Sequence, residues 1–172
     1  YYSEPLYQGH FVALSMAAVA LGIARAALAS FVEIASSGSG SERARSVKTK
    51  PFNQLALAEA VGLYRASRLW LHTSAAQGYD DAVAHGAIRP EYMLDMRHAN
   101  VFVIQSCVQA VDRIWEAMGP SAVYSGQVIE RCFRDIHTSA QHLFALKINL
   151  EGMGAEYFEC LLDILAGDNP PR

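Results

Sequence analysis

Charge is scarce in this chain. Asp, Glu, Lys and Arg make up 18% of its 172 residues and sum to −3 at neutral pH, so general electrostatics draws neither nucleic acid nor an anionic membrane surface to it. Cysteine is rarer still. Cys107, Cys132 and Cys160 are odd in number, far apart and free of CxxC pairing, which excludes a disulfide framework and reads as three reduced thiols in a cytoplasmic protein. No signal peptide is visible, and no bilayer-length apolar run: the Ala-rich stretch Phe11 to Ala24 is too short, Arg25 interrupts it, and it reads as a buried helix. Strand-like alternation and internal repeats are missing. So are the GxxxxGK[ST] loop, the GxGxxG fingerprint and the GxSxG elbow, which leaves no sequence sign of a P-loop, dinucleotide or serine-hydrolase site. Aromatics interleaved with basic residues, as in nucleic-acid binders, do not occur either.

What is present is 52% hydrophobic residues, in a length able to bury a sizeable core. Phe11, Leu14, Ala18, Leu21, Leu28 and Val32 follow 3- and 4-residue steps, which predicts a first helix over 11–32. Arg25 intrudes on that stripe and is expected either to find a partner, a buried structural ion pair rather than a ligand contact, or to extend its head to the rim. The run Ser36 to Ser41 (SSGSGS) ends the helix, and Glu42 to Lys50 follows with Arg43, Arg45, Lys48 and Lys50, either a solvated loop or a binder of cofactor phosphates. A second helix starts near Pro51, with Leu57, Val61, Tyr64 and Leu71 on one face, and runs to about His85. Gly86 to Pro90 breaks the chain. A third helix carries Val101, Ile104, Val108, Val111, Trp115 and Met118 as a bundle seam and stops at Gly119-Pro120. A fourth is predicted over roughly Ser125 to Asn149 and a short fifth over about 155 to 166, before the Asp168–Arg172 tail. The expectation is an all-α fold, an antiparallel (up-down) four-helix bundle with a short fifth helix, residues 1–172 forming one domain. A chain that begins at Tyr1 without Met, almost directly in helix, is expected to be a fragment of a larger protein.

On the fourth helix, Arg131, Asp135, Thr138 and His142 fall at steps of 4, 3 and 4 and form one polar stripe, opposite Ile129, Phe133, Ile136, Ala140 and Leu143. A histidine in such a stripe is a candidate general base, with the Thr138 hydroxyl within reach of its ring; a merely solvated face is the plain alternative. A di-metal carboxylate site needs two helices with an acid three residues before a histidine. Asp95 and His98, with Glu91 one turn earlier, make one such turn and no second exists, so no metal is expected and Asp95 and His98 read as a solvated or interhelical polar pair. His10, His72 and His85 stand alone.

The runs ALGIARAAL (Ala20 to Leu28), PFNQLALAEA at the start of the second helix and, above all, GPSAVYSGQVIERCFRDIHTSAQH (Gly119 to His142) resemble the C-terminal helical domain of the acyl-CoA dehydrogenase superfamily. The resemblance covers essentially the whole chain. In dehydrogenases of that superfamily a catalytic Glu follows this motif, and its position falls on Leu143; Glu151 lies eight residues further on. The two-component flavin monooxygenases instead show an Arg, an Asp or Asn and then a His, matched by Arg134, Asp135 and His142. The resemblance to that branch implies a parent enzyme that uses reduced FAD or FMN from a separate reductase, and O₂, to hydroxylate an aromatic or other small organic substrate. It implies His142 as the acid/base residue with Thr138 tuning it, and Phe52, Gln54, Gly119, Ser121, Ala122 and Arg134 at the flavin. It also implies a tetramer or dimer sharing flavin between subunits, with neither nucleic acid nor membrane as partner. An acyl-CoA dehydrogenase and a non-catalytic helical oligomerisation module are the competing readings.

Overall fold

The computed structural model describes residues 10–36, 47–123 and 127–167. The Gly/Ser run from residue 37, Arg43, Arg45, Ser125 and the Asp168–Arg172 tail lie outside the described residues. Those described form an all-α fold of five helices: α1 (His10–Ser36), α2 (Pro51–His85), α3 (Pro90–Met118), α4 (Val128–Ser139) and α5 (Asn149–Gly167), with 3₁₀ turns at Gly119–Val123 and Leu143–Ala145.

Helix α3 is the hub. Val101, Val103, Ile104, Cys107, Ala110, Val111 and Ile114 are each 1% exposed or less, and α1, α2, α4 and α5 all pack on it. One end of the bundle gathers Phe31 of α1, Ala60 of α2, Ala110 and Ile114 of α3, and Ile129 of α4. The C-terminal halves of α1 and α3 therefore meet the N-terminal halves of α2 and α4, the up-down order. At about 1.5 Å per residue, α2 is roughly 50 Å long and packs against the shorter α3.

The core face of α1 is not the stripe read from its larger residues. It is a line of alanines, Ala13, Ala17, Ala20, Ala24 and Ala27, with Leu14, Leu21 and Phe31, while Ala18 and Val32 are exposed. Arg25 is one position round from that line and exposed, so it needs no buried partner. Phe11–Ser36 is longer than the run ending at Ala24, and by length and composition alone it could cross a bilayer. Alanines and valines on both sides of Arg25 dilute its charge.

Helix α2 likewise buries small and polar residues, Ala56, Ala60, Ser67, Ser74 and Gly78. Small side chains let α2 and α3 pack closely, and at Gly78 the Met96 side chain of α3 fills the space a Cβ would take: that Cβ would lie 2.5 Å from Met96 Sδ. Gly86 ends α2 in the left-handed conformation (φ 74°) with its N–H on the Ala82 carbonyl at 2.8 Å, a position that only glycine takes at no cost. Buried Asp81 ties the turn together, accepting from the Arg89 backbone N–H (2.8 Å) and Nε (2.7 Å), with His85 Nδ1 at 3.0 Å. Burial alone would raise the Asp81 carboxyl, but the two Arg89 bonds and the neighbouring positive charge outweigh it and hold the group below its ordinary value.

The largest departure from the sequence reading lies after α4. The predicted helix over Ser125 to Asn149 ends at Ser139; the chain then makes a 3₁₀ turn and re-enters helix at Asn149. Bonds of 3₁₀ type, Gln141 N–H to Thr138 O and His142 N–H to Ser139 O, tighten the end. No Gly or Pro marks this stop, which is why periodicity ran through it. Ile129 and Ile136 are buried as expected, whereas Leu143, assigned to the packing face, is 66% exposed. α5 starts six residues earlier than expected and packs on α3 through Met153, Leu150 and Tyr157.

Candidate functional site

The end of α4 determines the setting of His142. The residue sits beyond the helix as the cap of the 3₁₀ turn, in extended conformation (φ −64°, ψ 142°), and its Nδ1 accepts from the Phe144 backbone N–H at 3.3 Å. A backbone amide can only donate, so Nδ1 is bare and the proton of the neutral imidazole is on Nε2. The ring is solvent-exposed and tilts on Phe144, centroids 5.3 Å apart.

Three side-chain amides hold the turn that His142 caps. Asn149 Nδ2 donates to the Leu143 carbonyl (2.8 Å), Asn100 Nδ2 to that of Phe144 (2.7 Å) and Gln105 Nε2 to that of Ala145 (3.0 Å). Asn100 is 1% exposed and its Oδ1 has no hydrogen-bond partner among the described residues. None of the three was singled out from sequence. The legible hint was an Asn and a Gln inside the apolar run NVFVIQ of α3, where a buried amide must have a partner.

Thr138 is not beside His142 along a helix. Its hydroxyl donates to the Arg134 carbonyl one turn back (2.9 Å), and the helix stops one residue later. Arg134 is exposed and pairs with Glu130 (3.5 Å) and Asp135 (4.0 Å), an ion-pair set of the kind worth well under about 1 kcal/mol at a surface. On the next turn, His137 Nε2 reaches Asp112 Oδ1 of α3 at 2.9 Å, and Phe133 stacks on Trp115, fixing α4 to the hub.

The remaining predicted residues cluster at the other end. Phe52 is 58% exposed at the start of α2, and Gln54 turns back to donate to the Lys48 carbonyl (3.1 Å). Gly119 takes φ 57°, ψ −143°, Ser121 is half-buried in the 3₁₀ turn after it, and Ala122 is fully buried, backbone included. Gln105 and Gly119 are roughly 20 Å apart along α3 at its helical rise, so the structure does not bring the Gly119 group and His142 together. A groove of about 130 Å³ lined by Phe31, Val47, Lys48, Asn53, Gln54 and Leu57 opens at this end. It is too small for a cofactor, which needs roughly 300 Å³ or more.

Between α2, α3 and α5 lies a second polar group. Asp95 accepts from Trp70 Nε1 (2.9 Å) and from the Ser74 hydroxyl, and His98 Nδ1 is 2.9 Å from the Tyr157 hydroxyl. Asp95 and His98 thus both make polar contacts between helices, Asp95 to α2 and His98 to α5. No grouping of three or more His, Cys, Asp or Glu that could hold a metal ion occurs among the described residues. Burial holds the His98 imidazole below its ordinary value, with Asp95 pulling more weakly the other way. The unfolded chain therefore takes up this proton at higher pH than the folded one, so this contribution is complete above about pH 6.5 and is lost as pH falls toward the folded value. Denaturant midpoints at pH 7.5 and 5.5 are expected to fall with pH, and His98→Gln to remove part of that fall; identical pH dependence in the two proteins would exclude the linkage. Burial also pushes the Cys107 thiol up to about 12, an inert core group.

Comparison with known proteins places this arrangement. The chain is 22% identical over 148 residues to indole-3-acetate monooxygenase of Pseudomonas putida, an alignment covering 86% of this chain and 38% of that protein. Among solved structures it resembles 3-HSA hydroxylase from Rhodococcus sp. RHA1 (TM-score 0.79, 23% identity, 88% of this chain and 39% of that one). The HsaA monooxygenase from M. tuberculosis (TM-score 0.75, 23%, 88% and 40%) and XiaF from Streptomyces sp., solved with FADH2 and glycerol (0.73, 24%, 86% and 38%), share the fold. The chain spans about two fifths of the length of these relatives. Residues 14–146 match the family described as acyl-CoA dehydrogenase, C-terminal domain. From the first turns of α1 to just past the turn that holds His142, the chain belongs to the acyl-CoA dehydrogenase C-terminal domain family.

Proposed function

We propose that this chain is the helical C-terminal part, one domain over 1–172, of a cytoplasmic two-component flavin-dependent monooxygenase that hydroxylates an aromatic or other small organic substrate. The carrying observation is the composition of the α4–α5 turn. Between Asp135 and Glu151 the chain holds no acid at all, and the ionisable side chain at the tip is an exposed histidine with its Nδ1 capped. A dehydrogenase abstracting an α-proton here needs a carboxylate; the position that carries it in that branch is Leu143. A histidine whose Nε2–H is free to donate suits a hydrogen bond to a phenol-like oxygen; to take up the substrate proton it must exchange tautomer so that Nε2 is bare, which opens the Phe144 N–H bond to Nδ1.

The residues present fit a flavin. Lys48 and Lys50 are exposed cations at the N-terminus of α2, where no side chain caps the helix, a setting suited to a pyrophosphate. The exposed Phe52 offers a ring face, and Gly119 offers backbone without a Cβ. Reduced flavin, FAD or FMN from a separate reductase, supplies the electrons with which O₂ is activated. His142 holds and moves the substrate proton, Thr138 and Arg134 shape the end of α4 that carries it, and Gln54 and Ser121 complete the cofactor contacts. The roughly 20 Å between the Gly119 end and His142 supports a dimer or tetramer in which each copy completes the flavin site of another.

Anaerobic titration of the full-length protein with oxidised and then reduced flavin tests this reading. Tighter binding of reduced flavin is the expected result. Tight oxidised FAD that bleaches on adding an acyl-CoA would replace the reading with a dehydrogenase, and binding of neither form would leave an oligomerisation module.

A further inference from the structure

The three amides around the 143–145 turn do more than satisfy carbonyls. Leu143 C=O and Phe144 N–H belong to one peptide plane. Its oxygen accepts from Asn149 (2.8 Å) and its N–H donates to His142 Nδ1 (3.3 Å). Asn149 thereby sets the tilt of the plane whose other edge selects the tautomer of His142, and a donor on the oxygen polarises the N–H toward the ring. The carbonyls of the next two peptide planes are held in the same way by Asn100 and Gln105 from the hub helix, which leaves the Asn149 bond as the side-chain contact that sets the 143–144 plane itself. The 3₁₀ turn closes a single internal bond, Ala145 N–H to His142 O at 2.8 Å, and is too short to hold itself. Carboxamides do not titrate near neutrality, so the three amide bonds keep their geometry, while the Phe144 N–H bond to Nδ1 belongs to the neutral ring alone.

We propose that Asn149 is a positioning residue for His142, backed by Asn100 and Gln105, and that this clamp keeps the neutral imidazole as the Nε2–H tautomer. The inference rests on the reading of His142 as the acid/base residue only for its effect on turnover; its effect on the ring is independent.

Asn149→Asp tests it. Asp has the same shape, is favoured at the first position of a helix and cannot donate to the Leu143 carbonyl when ionised. Histidine-selective ¹⁵N NMR of the intact protein, near pH 9 and thus well above the ordinary imidazole range, reads the tautomer directly. Circular dichroism checks that helix content is retained, and Asn149→Gln, which restores a donor, is the rescue variant. The wild type should show a bare Nδ1 and a protonated Nε2, and Asn149→Asp should move both resonances toward those of free histidine, with partial return in Asn149→Gln. In the flavin-loaded enzyme kcat should fall on the order of 10²-fold with flavin affinity unchanged. Shifted ring signals with unchanged turnover would uphold the positioning role and remove His142 from the chemistry. Ring signals identical to wild type in Asn149→Asp would overturn the proposal whatever the activity.

Discussion

His142→Gln in the full-length enzyme is expected to lower kcat by about 10²–10⁴-fold, the usual worth of a positioned acid/base group, while flavin binding and oligomeric state stay as in the wild type. Glutamine places a polar group near the position of the ring Nε2 but can neither accept nor release a proton in the working pH range. The side chain is exposed and caps only a three-residue turn, so the change removes few packing contacts. Rapid-mixing kinetics with preformed reduced flavin separates the outcomes: the fall belongs in the hydroxylation step, not in flavin affinity. Turnover within a few-fold of wild type would show that proton transfer is handled elsewhere.

The second large effect is on stability. Gly78→Ala is expected to destabilise the fold by about 1–3 kcal/mol, the usual cost of overpacking, even though alanine is the better helix former by about 1 kcal/mol. The new methyl would lie 2.5 Å from Met96 Sδ, and Met96 is 1% exposed on the hub helix, so the thioether must shift within the packed core to make room. Shortening the partner should reverse the sign: in a Met96→Ala background, where the sulfur is gone, the same substitution should stabilise. A double-mutant cycle by urea denaturation measures the coupling between the two positions. Additive effects would mean that the two backbones have room to part, and that the close approach of α2 and α3 is not enforced by packing.

Much of this architecture was readable beforehand, and the failures have a common origin. Pro51, Gly86-to-Pro90 and Gly119-Pro120 act on the backbone directly, so the ends of α2 and α3 were legible to within a residue or two. The end of α4 was not, because it is imposed by amides from α3 and α5 rather than by any residue of its own. Asn100, Gln105 and Asn149 are distant in sequence from Ser139, and a neutral amide leaves no periodic trace. The core line of α1 was misplaced for a related reason: a search for large apolar residues passes over alanine, although alanine forms the contact. Arg25 therefore seemed to face inward when it faces out. Histidine 142 was found as a residue but with the wrong neighbour, since the hydroxyl of Thr138 returns to the Arg134 carbonyl.

The small-residue seams of α1 and α2 against α3 also bear on how this chain can vary. Alanine, serine and glycine have almost no rotamer freedom to lose on burial, so these seams form at low entropic cost. They also leave little latitude. A smaller residue is scarcely available at such a position, and a larger one forces two helix axes apart along tens of ångströms. Elsewhere on the helices a side chain can change without moving a backbone. Substitution in this chain is thereby channelled away from a few narrow tracks along the helix seams.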